Sequence, residues 1–121
     1  MRRRPGTHVI AELFDCNETS LDDIIFIRRA FLNAIKNSGL ILIRGGLKIH
    51  KFNPQGVTAI ALLTSSHISF HSWPQFKYAC IDIFACDEEE KVKEAFKIFI
   101  DFFKPKRVKK IILKRGYIVR E

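Results

Sequence analysis

The chain has 121 residues, 47% of them hydrophobic and eleven of them phenylalanine, which suits one domain over residues 1–121 with its own core and excludes a disordered chain. Lys and Arg number 21 against 13 Asp and Glu, for a net charge of +8 carried largely by Arg2 to Arg4 and by the basic run from Lys104 to Arg120. Those runs hold no helix-turn-helix or RNA-binding signature, so they read as a lysine-guarded edge strand and not as a nucleic-acid surface. No apolar run is long enough to cross a bilayer, and the start does not resemble a signal peptide. Cys16, Cys80 and Cys86 are odd in number and lack metal-ligand spacing, which suits a reduced, cytoplasmic protein with no metal.

In chain order, residues 7–13 alternate, with Val9, Ala11 and Leu13 on one face, and predict a first strand. Residues 15–20 read as a polar turn. Ser20, with Asp23 three positions on, is a capping-box-like helix start. Ile24, Ile27, Phe31, Ala34 and Ile35 recur at helical spacing, and Gly39 is a C-terminal stop. Residues 40–43 predict a buried strand, broken at Gly45-Gly46 and resumed over 47–52. Asn53-Pro54-Gln55-Gly56 is a turn by composition. Residues 57–63 and 78–86 predict two further apolar strands. Four acids at 87–90 open a second helix, where the macrodipole favours them. Val92, Phe96, Phe99 and Phe103 form its buried stripe, Pro105 ends it, and residues 107–113 form the last strand, closed by Arg115-Gly116. The order β-α-β-β-β-β-α-β predicts an α+β fold, a two-layer α/β sandwich with a mostly antiparallel sheet and both helices on one face. The other sheet face is left uncovered, and pairing two sheets face to face would cover it.

The most polar strand lies within residues 63–74, Leu-Thr-Ser-Ser-His-Ile-Ser-Phe-His-Ser-Trp-Pro. From His67 onward a period of two puts His67, Ser69 and His71 on one face and Ile68 and Phe70 on the other. Trp73-Pro74 ends the strand, because proline cannot donate to a ladder. On these residues alone the polar face is either a solvated outer surface or a site.

The string from Ser66 to Pro74, with Tyr78-Ala79-Cys80-Ile81-Asp82-Ile83-Phe84-Ala85-Cys86 after it, resembles the core of the prokaryotic S-adenosylmethionine decarboxylases. Three more segments match that family in order and spacing, at residues 6–13, 50–58 and 104–108. The resemblance implies a dimer of α/β sandwiches joined through their sheet faces, with active sites at the interface. It implies a lyase acting on S-adenosylmethionine and supplying the aminopropyl donor for spermidine. Decarboxylating an α-amino acid needs an electron sink that no encoded side chain offers. The resemblance implies a pyruvoyl group generated from Ser66. The Ser66 hydroxyl would attack the Ser65 carbonyl to give an ester, and elimination and hydrolysis would leave a β chain of residues 1–65 and an α chain of residues 66–121.

Roles carry over by position. Thr58, eight residues before Ser66, stands where the family has a serine that stabilises the oxyoxazolidine. His71 stands at the base that removes the α-proton, a task suited to imidazole near neutral pH. Cys86, twenty residues after Ser66, matches the cysteine that reprotonates the decarboxylated carbon; read alone it is a small buried hydrophobe, as Cys80 and Cys16 are. Phe52 matches the aromatic that stacks on adenine, though alone it would read as core. His67 and Ser69 match family positions to which no chemical step is attached. Two positions depart from the pattern: Ser65 replaces Glu before the cleaved serine, and Gln75 replaces the Glu that grips the ribose hydroxyls, losing a charge-assisted bond. Those departures keep open a related decarboxylase of arginine or ornithine, or an uncleaved homologue that regulates a true decarboxylase.

Overall fold

The computed structural model describes residues 5–116, so the basic tail at Arg2 to Arg4 and the residue Arg120 lie outside the described residues. The first strand, β1 (Gly6–Phe14), buries Val9, Ala11 and Leu13. Two helices then replace the expected polar turn and single helix. The short α1 (Glu18–Leu21) is capped by Asn17, which accepts the Ser20 amide. The longer α2 (Ile24–Ser38) is capped by Asp23, whose carboxylate accepts the Ile25 and Phe26 amides. Asp23, not Ser20, therefore starts the main helix: it satisfies two otherwise orphaned amides, while Ser20 sits inside α1. Gly39 closes α2 at φ +89°, a left-handed turn that costs glycine little.

The second strand, β2 (Leu42–Lys51), lies at a sheet edge. The stretch at residues 40–43 is accordingly not buried as expected: Leu40 is, but Ile41 and Ile43 are exposed, since an edge strand has a neighbour on one side only. The Gly45-Gly46 break is a bulge in a continuous strand, with a register shift between Leu42 and Leu47. A Cβ on Gly46 would come within 2.9 Å of the Leu62 carbonyl oxygen, so the bulge needs glycine there.

A turn containing a cis Asn53-Pro54 peptide leads to β3 (Val57–Leu63), β4 (Ser66–Trp73), a single 3-10 turn (Pro74–Phe76) and β5 (Tyr78–Ala85). Helix α3 (Glu89–Phe103) and strand β6 (Arg107–Arg115) complete the order. The sheet runs β2-β3-β4-β5-β1-β6, and every neighbouring pair is antiparallel. Both long helices cover the same face. Phe70 of β4 meets Phe31 of α2 at 6.3 Å and stacks on Phe103 of α3 at 5.1 Å between ring centroids. Each such buried ring contributes roughly 1.5–3 kcal/mol of transfer free energy, which pins α2 and α3 to this face. Strand β6 is the other edge, its outward face carrying the lysines and arginines that guard it.

The opposite face is open. It presents His67, Ser69 and His71 of β4 beside Phe84, Asp82 and Cys80 of β5, with Ile10, Ile60 and Leu62 exposed around them. Among the described residues no helix is long and apolar enough to cross a membrane.

Candidate active site

Strands β3 and β4 are joined by a tight turn at Thr64 and Ser65. Ser66, the first residue of β4, has φ +155°, a backbone region that residues with a Cβ seldom enter and that stores roughly 1–3 kcal/mol of strain. Ser66 pairs with Ala85 at the end of β5, so the chain beyond β5 passes the turn. There the Cys86 backbone N–H donates to the Ser65 carbonyl oxygen at 2.9 Å. The Ser65 hydroxyl is buried with no hydrogen-bond partner among the described residues. The Cys86 thiol is exposed, which removes it from the core. Cys16 is buried, and burial, with the nearby Asp15 charge, pushes its thiol up to about 11.

The Ser66 hydroxyl also reaches Nδ1 of His67 at 3.2 Å. The other nitrogen of that ring, Nε2, lies 3.4 Å from Asp82 Oδ2. Asp82 is held in turn by His8 Nε2 at 2.7 Å and by the Ser69 hydroxyl, and Arg115 donates to His8 Nδ1 at 2.9 Å. Sequence reasoning missed His8, Asp82 and Arg115. The available signal was Asp82 itself, a lone acid in the otherwise apolar run at residues 78–85. The ligand atoms of His8, His67 and Asp82 lie within 4.8 Å of one another, close enough to hold a cation. Arg115 can only donate, however, so His8 keeps its proton on Nε2, the atom that would have to ligate.

A second cluster forms at the far end of β4. The β3–β4 register sets Thr58 opposite His71, and Thr58 Oγ1 lies 2.6 Å from His71 Nδ1. The His71 ring sits 4.3 Å from Trp73 and 5.8 Å from Phe52. Phe52 is 40% exposed and not packed in the core. Phe52, His71, Trp73 and Gln75 line one cleft of about 250 Å³. The loop bearing Phe52 is tied down by Asp22, which accepts the Gly56 amide at 2.9 Å and Lys51 Nζ at 3.0 Å. Those bonds, the Gly56 amide foremost, hold the Asp22 carboxyl below its ordinary value. Buried Ser72 completes the anchor, donating to the Leu21 carbonyl at 2.6 Å and accepting the Val57 amide at 3.1 Å. Between the clusters the open face forms a basin of about 710 Å³ over Ile10, Glu12, Ser69 and Tyr78. The Tyr78 hydroxyl lies 3.1 Å from Cys80 Sγ and donates to Glu12 at 2.6 Å, contacts that push its pKa well up.

Ser66 and His71 are five positions apart on one extended strand, roughly 16 Å at about 3.3 Å per residue. Within one chain, and among the described residues, no contact joins them. Thr58, Phe52 and Gln75 belong to the His71 end, and Ser65 and Cys86 to the Ser66 end.

Residues 7–116 match the profile of the S-adenosylmethionine decarboxylase family. The chain belongs to that family. It is 42% identical over 113 residues to an S-adenosylmethionine decarboxylase proenzyme of Methanococcus maripaludis, covering 93% of this chain and 91% of the relative. It is 44% identical over 90 residues to the proenzyme of a Synechococcus species, covering 74% of this chain and 69% of that one. The crystal structure of the adenosylmethionine decarboxylase from Aquifex aeolicus superposes with a TM-score of 0.90 at 31% identity, over 98% of this chain and 97% of that one. In this S-adenosylmethionine decarboxylase family member the β3–β4 turn suits self-processing. A hydroxyl neighbours a carbonyl already polarised by an amide donor, on a strained residue, with an imidazole in hydrogen-bond reach.

Proposed function

We propose that this chain is a self-processing, pyruvoyl-dependent S-adenosylmethionine decarboxylase, supplying the aminopropyl donor for spermidine synthesis. The relatives are named as proenzymes of that enzyme, and the carrying observation is the turn at Ser65 and Ser66, where the Cys86 amide polarises the Ser65 carbonyl. The Ser66 hydroxyl attacks that carbonyl and displaces the Ser66 nitrogen, leaving an ester. His71, its ring oriented by Thr58 2.6 Å away, then takes the Ser66 α-proton as the Oγ–Cβ bond breaks and frees the Ser65 carboxylate, and water hydrolyses the resulting dehydroalanine with release of ammonia. The products are a β chain of residues 1–65 and an α chain of residues 66–121.

Once formed, the pyruvoyl carbonyl supplies the electron sink for loss of CO₂. This chain's residues do the rest. Phe52 stacks on the adenine, Gln75 hydrogen-bonds the ribose hydroxyls, and the Cys86 thiol delivers a proton to the decarboxylated carbon. An exposed thiol and an exposed phenylalanine ring suit those roles.

The roughly 16 Å between Ser66 and His71 along one strand argues that each working site takes its two clusters from different protomers. The exposed Ile10, Ile60 and Leu62 beside both clusters support a homodimer of processed protomers joined through their open sheet faces. The protein works in the cytoplasm as a single-domain enzyme, without nucleic-acid or membrane partners.

Intact mass of the purified wild-type chain tests the reading. Expected is one cut between Ser65 and Ser66, a pyruvoyl start on the α chain, and CO₂ release from S-adenosylmethionine. A chain that stays whole through prolonged incubation, or one that releases CO₂ only from arginine or ornithine, overturns it.

A further inference from the structure

We propose that His67, oriented by Asp82, is the general base that drives the first step of self-cleavage. The inference rests on the reading that Ser66 is the processed serine, and it concerns the step before His71 acts. The contact that carries it is the 3.2 Å between the Ser66 hydroxyl and His67 Nδ1, with Asp82 Oδ2 at 3.4 Å from Nε2 of the same ring.

The donors around Asp82 determine the tautomers. A guanidinium can only donate, so Arg115 makes His8 Nδ1 an acceptor. His8 Nε2 therefore carries the proton and donates it to Asp82 Oδ2. The Ser69 hydroxyl donates to Oδ1. Asp82 Oδ2 also faces His67 Nε2, an acceptor that favours the proton on that nitrogen and leaves Nδ1 to accept from Ser66. Serine, imidazole and carboxylate thus follow one another at 3.2 and 3.4 Å, the set of groups that activates hydroxyl nucleophiles on unrelated folds. His67 lies on the open face, and among the described residues the titratable groups set against its ring are His8 and Asp82, with Arg115 behind His8.

The step balances without a co-reactant. The Ser66 Oγ proton passes to His67 Nδ1 as the oxygen bonds the Ser65 carbonyl carbon. Negative charge develops on the Ser65 oxygen, where the Cys86 backbone N–H already donates at 2.9 Å. The imidazolium, stabilised by Asp82, returns the proton to the Ser66 nitrogen as the carbon–nitrogen bond breaks. An amide has become an ester, and one proton has moved from oxygen to nitrogen. His67 is the catalytic residue; Asp82 and His8 are positioning residues.

The test follows the newly made full-length chain by intact mass with and without hydroxylamine, which cuts an ester but not an amide. His67→Ala is expected to slow cleavage by roughly 10²–10⁴-fold and to leave a chain that hydroxylamine does not cut. His71→Ala, blocked one step later, is expected to give a chain that hydroxylamine does cut. If His67→Ala cleaves at the wild-type rate, or accumulates a hydroxylamine-labile ester, the inference is wrong while the function stands. If Ser66→Ala cleaves, the functional reading itself fails. Should His67→Ala not fold, Asp82→Asn decides. Losing the carboxylate makes imidazolium less favourable, so the rise of cleavage rate with pH should move to lower pH with a lower plateau. An unshifted profile at the wild-type plateau overturns the proposal.

Discussion

The most demanding consequence of the split site is that two differently crippled chains should repair one another. One carries Ser66→Ala and keeps His71; the other carries His71→Ala and keeps Ser66. If Ser66 and His71 had to meet within a chain, neither could produce the pyruvoyl α chain in any mixture. The strand forbids that meeting: five residues of β4 span roughly 16 Å, several times the reach of a hydrogen bond. In the proposed face-to-face dimer, the Ser66 of the second chain would meet the His71 of the first, so each mixed dimer should hold one complete site and one doubly defective site. Random assembly from equal amounts puts about half of the His71→Ala chains into mixed dimers. About half of those chains should therefore cleave, and none of the Ser66→Ala chains. Co-expression with two tags of different mass, followed by intact-mass analysis, counts both species. Pyruvoyl α chain from His71→Ala expressed alone, or its absence from the mixture when mixed dimers are present, would refute the split site.

Three further outcomes follow from the geometry. Cys86→Ala should self-cleave normally, because the backbone N–H on the Ser65 carbonyl is retained, yet decarboxylate about 10²–10⁴-fold more slowly; unchanged turnover removes the thiol from the reaction. Gln75→Glu should lower KM for S-adenosylmethionine about three- to ten-fold by making the ribose bonds charge-assisted, and steady-state kinetics showing no change would detach Gln75 from the substrate. Asp22→Ala should free the Phe52 loop and raise KM about five-fold, near 1 kcal/mol, with kcat and chain cleavage little affected. Since the folded Asp22 carboxyl sits below its ordinary value of 3.8, its stabilisation is present above that value and lost as pH falls through the lower one. Melting curves of wild type and variant should therefore converge in acid, and a constant gap at all pH values contradicts the carboxylate anchor.

Local pattern alone determined which faces the strands and helices would bury. A period of two from His67 separates the polar face from Ile68 and Phe70, and the buried helix residues Ile27, Phe31, Phe99 and Phe103 were visible as 3.6-residue stripes. The motif around Ser66 and His71 was legible for the same reason, as its residues are neighbours along the chain. Helix starts were read less well, because Ser20 and Asp23 are both good capping residues and only the presence of α1 decides between them. Burial at residues 40–43 was misread because an apolar run does not say that its strand lies at an edge.

What only the tertiary structure could decide is which strands lie side by side. Inserting β1 between β5 and β6 brings His8 against Asp82 across 74 residues of sequence, and brings Arg115 onto His8. Pairing on both sides keeps β4 extended, so two residues five apart in sequence, and easily imagined in one pocket, lie toward opposite ends of that strand. Side-chain periodicity is a local property of the backbone, whereas strand neighbours and end-to-end separation depend on long-range pairing.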